Sequence, residues 1–253
     1  MVGSTGAGAA SEHLEGPPLR LVAVTHGAPS SANREAVIRL VDGVASARPD
    51  LDVSISFIDA SRSDVAAALG SGADAGAVFV PLVLSAGFHV RTGLSLGLDD
   101  RGSDSRLAAE LGPDERIVEV LAERLGGVRL ADGDAVVLAA AGSNDPRAVR
   151  ECFETGRRLG QRLGRPVTVG FIAAAIPRLP DAIEMIREVH PGARVVLGTY
   201  LLAPGTFYDA AAAAGADAIA RPLLLPDEPA PSGLVELVLD RYSDARSARL
   251  ERA

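Results

Sequence analysis

The chain has 253 residues, of which 47% are hydrophobic, and a formal net charge of −8. That length suits two domains of ordinary size with packed cores, and the acidic balance excludes the concentrated basic surface that a nucleic-acid partner requires. The single cysteine, Cys152, excludes an intramolecular disulfide or a cysteine-based zinc site, and with all 25 basic residues arginine, Schiff-base lysine chemistry and a P-loop are excluded while bidentate carboxylate or phosphate recognition stays open.

Residues 1–18, "MVGSTGAGAASEHLEGPP", form a Gly-, Ala- and Ser-rich tail without the basic start and apolar stretch of a secretory signal. No later apolar run reaches the ~18 residues needed to span a bilayer. The expectation is a soluble, cytoplasmic protein with neither a membrane nor a nucleic acid as partner. Aromatic residues make up only 4% of the chain, Trp is absent, and Ala, Val, Leu and Gly dominate, which favours sheets covered by closely packed helices.

Leu19 to Thr25 is the first expected strand. A helix follows in which Val37, Leu40, Val41 and Val44 share one face, and Arg48-Pro49-Asp50 ends it. "DVSISFID" (52–59) alternates as a strand, "AGAVFVPLVLSAG" (75–87) is a buried strand running into a loop, and "SRLAAELG" (105–112) is a weaker fourth strand. Ile117, Val120 and Leu121 begin the next amphipathic helix.

After Gly126-Gly127 the pattern starts again. "DAVVLAAAGSNDPRAVREC" resembles "LRLVAVTHGAPSSANREAV", "PVTVGFIAAA" resembles "DVSISFIDAS", and "ARVVLGTYLLAPGTF" resembles "AGAVFVPLVLSAGFH". Gly142 thus matches Gly27, Phe171 matches Phe57 and Gly205 matches Gly87, in one order and at nearly constant separation, which indicates an internal duplication. "AIARPLLLPDE" and a helix with Val235, Val238, Leu239 and Tyr242 repeat the ending of the first half. The expected architecture is α/β: a tail (1–18) and two similar doubly wound domains (19–128 and 129–253), each with a parallel sheet of about four strands in flavodoxin-like order.

In that order strands 1 and 3 are neighbours, and ligands bind at their carboxyl ends. His26 follows strand 1, His89 follows strand 3, and Asp59 ends strand 2. At the matching positions of the repeat stand Ala141, Phe207 and Ala173. The repeat keeps the glycines, which tight turns need, and lacks a titratable group at each of these three positions. A lone histidine near a strand end is more often structural than functional, but two at one switch point, both absent from the repeat, favour function. Asp59 has a plain alternative as a helix cap, and Arg91 as a solvated charge unless the ligand is anionic. Cys152 shares a helix face with Val149, Phe153 and Gly156, where a buried thiol is expected. His13, in the tail, and His190, before Pro191-Gly192, are assigned no role. Two imidazoles with a carboxylate suit Fe, Co, Ni or Zn with positions left open, and equally suit general-base work near neutral pH.

With these residues in view, the chain resembles the sirohydrochlorin chelatases of the CbiX/SirB family, class II chelatases, in their long two-repeat form. "VTHG", "VPLVLSAGFHVR", "AAGSNDPRA" and "YLLAPGTF" carry the resemblance, which spans about residues 19–244. It implies insertion of Fe²⁺ or Co²⁺ into sirohydrochlorin without ATP, towards sirohaem or cobalamin, the metal being substrate and no cofactor permanently bound. His26 and His89 match the family's active-site histidines, as metal ligands and proton acceptors, with Asp59 a third candidate ligand. For the substrate carboxylates the candidates are Arg91 and Arg34, with Ser30 and Gly87 beside them. The family's His-Gly-Ser reads His26-Gly27-Ala28 here, leaving Ser30 or Ser31 as the nearest hydroxyl, and "TGLSLGLDD" after Arg91 is richer in Gly and Ser than the family's acidic helix start. The rival readings are a non-catalytic tetrapyrrole or metal carrier, or a chelatase for a related tetrapyrrole or for Ni²⁺. A monomer is expected, its two halves taking the place of two subunits, with a dimer as the alternative.

Overall fold

Parallel strands buried on both sides read as unbroken apolar runs, and Ala77–Pro81 is such a run, with all five residues buried. In the computed structural model, which describes residues 19–26, 30–58, 76–85 and 105–248, this run is β3. It lies between β1 (Arg20–His26) and the short β4 (Arg106–Leu107), and β2 (Val53–Ile58) flanks β1 on the other side, so that the first sheet has the order β2-β1-β3-β4. α1 (Ser31–Ala47) connects β1 to β2. Ser30 caps it by accepting a hydrogen bond from the Asn33 amide at 3.2 Å, and Ala36, Val37, Leu40, Val41 and Val44 form its buried face.

α2 (Glu115–Gly127) leads into a second sheet, built from β5 (Ala135–Ala140), β6 (Val167–Phe171), β7 (Val195–Tyr200) and β8 (Ala218–Ile219) in the order β6-β5-β7-β8. Its connections are α3 (Pro146–Leu163), α4 (Leu179–Val189) and α5 (Thr206–Ala212), and α6 (Ser232–Ser247) follows β8. α3 has the start and stop its sequence announces: Asp145 accepts from the Arg147 amide at 2.8 Å, Pro146 opens the first turn, and Gly164 ends it in the left-handed region at φ 66°. The chain is therefore α/β with two doubly wound parallel sheets, as its composition and periodicity suggest.

The duplication extends to register. Thr25 pairs with Phe57 where Ala140 pairs with Phe171, and Arg20 pairs with Ala77 where Ala135 pairs with Val195. Two boundaries differ from the sequence reading. β1 runs one residue further than Thr25, because His26 still pairs with Ile58, so the histidine ends the strand rather than opening the loop. The fourth strand of the first half shrinks from eight residues to two. The Ala108 amide still bonds to the Phe79 carbonyl of β3 at 2.8 Å, after which the ladder ends and the Leu111 and Gly112 amides bond to the carbonyls of Val83 and Leu84, beyond β3, at 2.9 and 3.1 Å.

Side chains of a strand alternate between faces, and β5 shows what each face serves. Val137 and Ala139 pack with Leu179, Ile183 and Ala211 of α4 and α5, whereas Val136, Leu138 and Ala140 join a core shared with the first sheet. The shared core is closed by exchanged helices. α2, encoded with the first half, packs on α3 and β7 of the second, and α6, encoded with the second half, packs on α1, β3 and β4 of the first. Leu234, Leu237, Val238 and Tyr242 of α6 are all buried there, the Tyr242 hydroxyl donates to the Leu19 carbonyl at 2.6 Å, and Arg241 donates to the carbonyls of Glu110 and Leu111.

Candidate functional site

The two sheets bring the carboxyl ends of β1, β3, β5 and β7 to one cleft of about 380 Å³, a common size for a small-molecule site. From the first half it takes Thr25, Asn33 and the stretch Leu82–Ser85, and from the second Ala141, Tyr200, Leu201 and Phe207. This is the switch point of both sheets, where strand order reverses about β1 and β5.

Of the residues singled out in the sequence, His26 ends β1, one residue beyond the cleft-lining Thr25. The Ser30 hydroxyl oxygen accepts the α1 cap bond from the Asn33 amide, which leaves its proton to donate. Arg34 is exposed one turn into α1, with its guanidinium carbon 4.5 Å from the centre of the Phe57 ring, a cation–π arrangement that holds the charge near the end of β2. Asp59, Gly87, His89 and Arg91 lie outside the described residues. Among the described residues no group of three or more His, Cys, Asp or Glu side chains forms a metal site, and no helix is long and apolar enough to cross a membrane.

The second half displays the same turn without the titratable groups. Gly142, the counterpart of Gly27, has φ 90°, and a Cβ there would fall on the Ala173 carbonyl, so the turn requires glycine for its backbone alone. Ala141 and Ala173, the counterparts of His26 and Asp59, are joined by a hydrogen bond from the Ala173 amide to the Ala141 carbonyl at 2.9 Å.

Two residues that sequence reasoning passed over tie the halves together across the cleft. Buried Tyr200 donates its hydroxyl to the Leu84 carbonyl at 3.0 Å, and the Asn33 side chain donates to the Pro204 carbonyl at 2.7 Å. Each loop that follows a central strand, after β3 and after β7, is thus held by a side chain from the opposite half. Burial pushes the Tyr200 phenol well above its ordinary range, so it stays a neutral donor. The only sequence signal for it was its rarity, as one of three tyrosines.

Cys152 also borders the cleft. Burial raises its thiol to about 11, against a smaller opposing effect of the Ser85 hydroxyl. A neutral thiol is a poor ligand and nucleophile, which agrees with the structural role expected from its helix face. Phe153, expected on the same face, is instead 44% exposed, and its ring packs edge-on against Phe171 with centroids 5.5 Å apart.

The model of the CbiX family matches residues 20–127 and again 135–219. Among solved structures, SirB from Bacillus subtilis with Fe³⁺ superposes with a TM-score of 0.67 at 18% identity, covering 91% of this chain and 98% of that one. The sirohydrochlorin chelatase SirB from Bacillus subtilis subspecies spizizenii, in complex with cobalt, gives a TM-score of 0.62 at 13% identity, covering 91% and 97%. CbiX, the terminal enzyme for sirohaem biosynthesis in denitrifying bacteria, gives 0.61 at 20% identity, covering 87% and 98%. At such identities these likenesses concern the fold. No curated protein sequence matches the chain. With the family pattern found once in each half, and two sheets of one strand order joined at a shared cleft, the chain belongs to the CbiX family.

Proposed function

We propose that this protein is a sirohydrochlorin chelatase that inserts Fe²⁺, with Co²⁺ as the second choice, without ATP, on the way to sirohaem or cobalamin. The observation that carries the reading is the position of His26, which ends β1 between β2 and β3 beside a cleft walled by both halves. Membership of the CbiX family supports it, as do the two SirB structures, one with Fe³⁺ and one with cobalt.

Insertion of a divalent ion replaces two pyrrole N–H bonds by metal–nitrogen bonds and releases two protons. A neutral imidazole can lend its nitrogen to the ion or accept a proton. In this proposal His26 and His89 do both kinds of work, and Asp59, the residue after the Ile58 that pairs with His26, adds a carboxylate. His89 comes four residues after the cleft-lining Ser85 in the chain. Arg34 and Arg91, with Ser30 and Gly87, are the proposed contacts for the substrate carboxylates, which a guanidinium meets bidentately. The metal is substrate, no cofactor stays bound, and the protein acts in the cytoplasm as a monomer whose halves stand in for two subunits.

The test is anaerobic absorbance of sirohydrochlorin with Fe²⁺, Co²⁺, Ni²⁺ or Zn²⁺ supplied separately, at catalytic protein concentration, for wild type, His26→Ala and His89→Ala. Metal-dependent spectral change above the spontaneous rate over many turnovers, lost in both variants, is the expected result. Both variants should melt like wild type, because the second half folds with Ala141 at the position of His26. Tetrapyrrole binding without acceleration would instead make the protein a carrier.

A further inference from the structure

Among the described residues two phenylalanines are about half exposed, Phe153 and Phe207, and of these only Phe207 borders the cleft. Phe207 is 46% exposed, yet it borders the cleft, in the first turn of α5 directly after the segment Leu201–Gly205. The repeat places it where the first half carries His89.

The chemistry of the cleft narrows what it can meet. Among the described residues no Asp, Glu, His or Arg side chain lines the cleft, and the second half contributes mainly Ala141, Leu201, Leu202, Ala203 and Phe207. Such a wall offers a carboxylate no charged partner, only neutral donors such as the Ser85 and Thr206 hydroxyls. It favours a flat apolar face, with charged substituents left outside; exposed Arg34, next in the chain to the cleft-lining Asn33, stands over Phe57. Neutral Cys152 and Tyr200 keep the interior of the cleft uncharged, and Tyr200 already gives its proton to Leu84.

We infer that Phe207 is a substrate-binding and specificity-determining residue, which packs its ring against one face of a planar conjugated macrocycle while the histidine-bearing half addresses the other. The inference rests on the chelatase reading and adds to it a role for the repeat: the half that lacks counterparts of His26 and His89 selects for flatness. An aromatic ring against a conjugated plane gains from offset stacking beyond the area it buries, so a ring of any kind at position 207 should serve better than an aliphatic chain of similar size.

The experiment is direct titration of metal-free sirohydrochlorin into the full-length protein, followed by its absorbance and fluorescence, for wild type, Phe207→Ala, Phe207→Leu and Phe207→Trp, with thermal melting of each. Phe207→Ala should weaken binding about tenfold and Phe207→Leu nearly as much, while Phe207→Trp stays within a few-fold of wild type. The shift of the bound macrocycle's absorbance band should persist in the tryptophan variant and shrink in the leucine variant, with melting temperatures unchanged. Binding by Phe207→Ala within twofold of wild type overturns the inference and leaves the chelatase reading standing, and leucine matching wild type overturns the aromatic role. Failure of the wild type itself to bind sirohydrochlorin overturns the chelatase reading and this inference with it.

Discussion

The hydroxyl of Tyr200, the last residue of β7 in the second sheet, donates to the carbonyl of Leu84, just beyond β3 in the first, at 3.0 Å. The same carbonyl accepts the Gly112 amide at 3.1 Å. Tyr200→Phe keeps the ring and removes one donor, so unfolding by urea should show a loss of about 1 kcal/mol. Gly112→Ala should lose more, because its Cβ would fall on both the Tyr200 hydroxyl and the Leu84 carbonyl. Combining the two should recover little stability, since the backbone carbonyl still blocks the methyl group. A Tyr200→Phe variant as stable as wild type would mean that the tie carries no net stability.

Ser30 and Arg34 separate folding from substrate contact. Ser30→Ala removes the α1 cap and should lower stability by about 1 kcal/mol. Ser30→Asp caps equally well but sets a negative charge where the proposed substrate brings its carboxylates, so it should keep the stability and raise KM.

Arg34→Ala should raise KM several-fold with kcat unchanged. Arg34→Lys should restore only part of this, because an ammonium has neither the fork for a carboxylate nor the planar stack on Phe57. Steady-state kinetics of the two variants, with melting curves as control, decide the matter, and an unchanged KM in Arg34→Ala would remove Arg34 from the substrate contacts.

Cys152 sets a pH dependence whose sign follows from its burial. The folded thiol titrates at about 11, against 9.0 for the free group. Above pH 9 the unfolded chain releases this proton while the folded chain keeps it, so the stability is fully present below about 9 and falls as pH rises towards 11. Cys152→Ser should show a shallower loss of stability across that window. Iodoacetamide should alkylate the native thiol slowly at pH 8 and much faster above pH 10, and rapid reaction at pH 8 would contradict the buried, neutral assignment.

The exchanged helices predict an unusual truncation result. Removing the chain from Ser232 onward strips α6 from the first sheet and uncovers its contacts with α1 and β3. Burial of side chains such as Leu234, Leu237 and Tyr242 stabilises by roughly 1.5–3 kcal/mol each. Limited proteolysis should therefore cut first within residues 20–58, far from the deletion in sequence, and a first half that remains protected would refute the exchange.

Much of this molecule was legible in its sequence because it follows from local periodicity. The buried face of α1, the apolar run of β3 and the register of the repeat all come from spacing, and spacing survives in the linear order of residues. What escaped was contact between distant segments. Nothing near Tyr200 announces a bond to Leu84, and nothing in α6 announces that it leaves its own sheet, because a helix with one apolar stripe fits either sheet equally well. The end of β1 was misjudged by a single residue, since a parallel ladder extends as long as a neighbour supplies partners, and Ile58 supplies one for His26. Phe153 was misassigned because its apolar character matched the buried face, while its actual partner, Phe171, sits at the edge of the sheet.

The exchange of α2 and α6 also sets the order in which a ribosome can finish the two halves. A domain usually folds as it emerges, the N-terminal one first, while synthesis proceeds at about 5–20 residues per second. Here the second sheet finds α2 already made when its strands appear, whereas the first must wait for α6, with the entire second sheet translated between Leu107 and Ser232. The half that carries His26 is therefore the last to be completed, and a nascent chain stalled before Ser232 holds the strand that ends in His26 in a sheet that α6 does not yet cover.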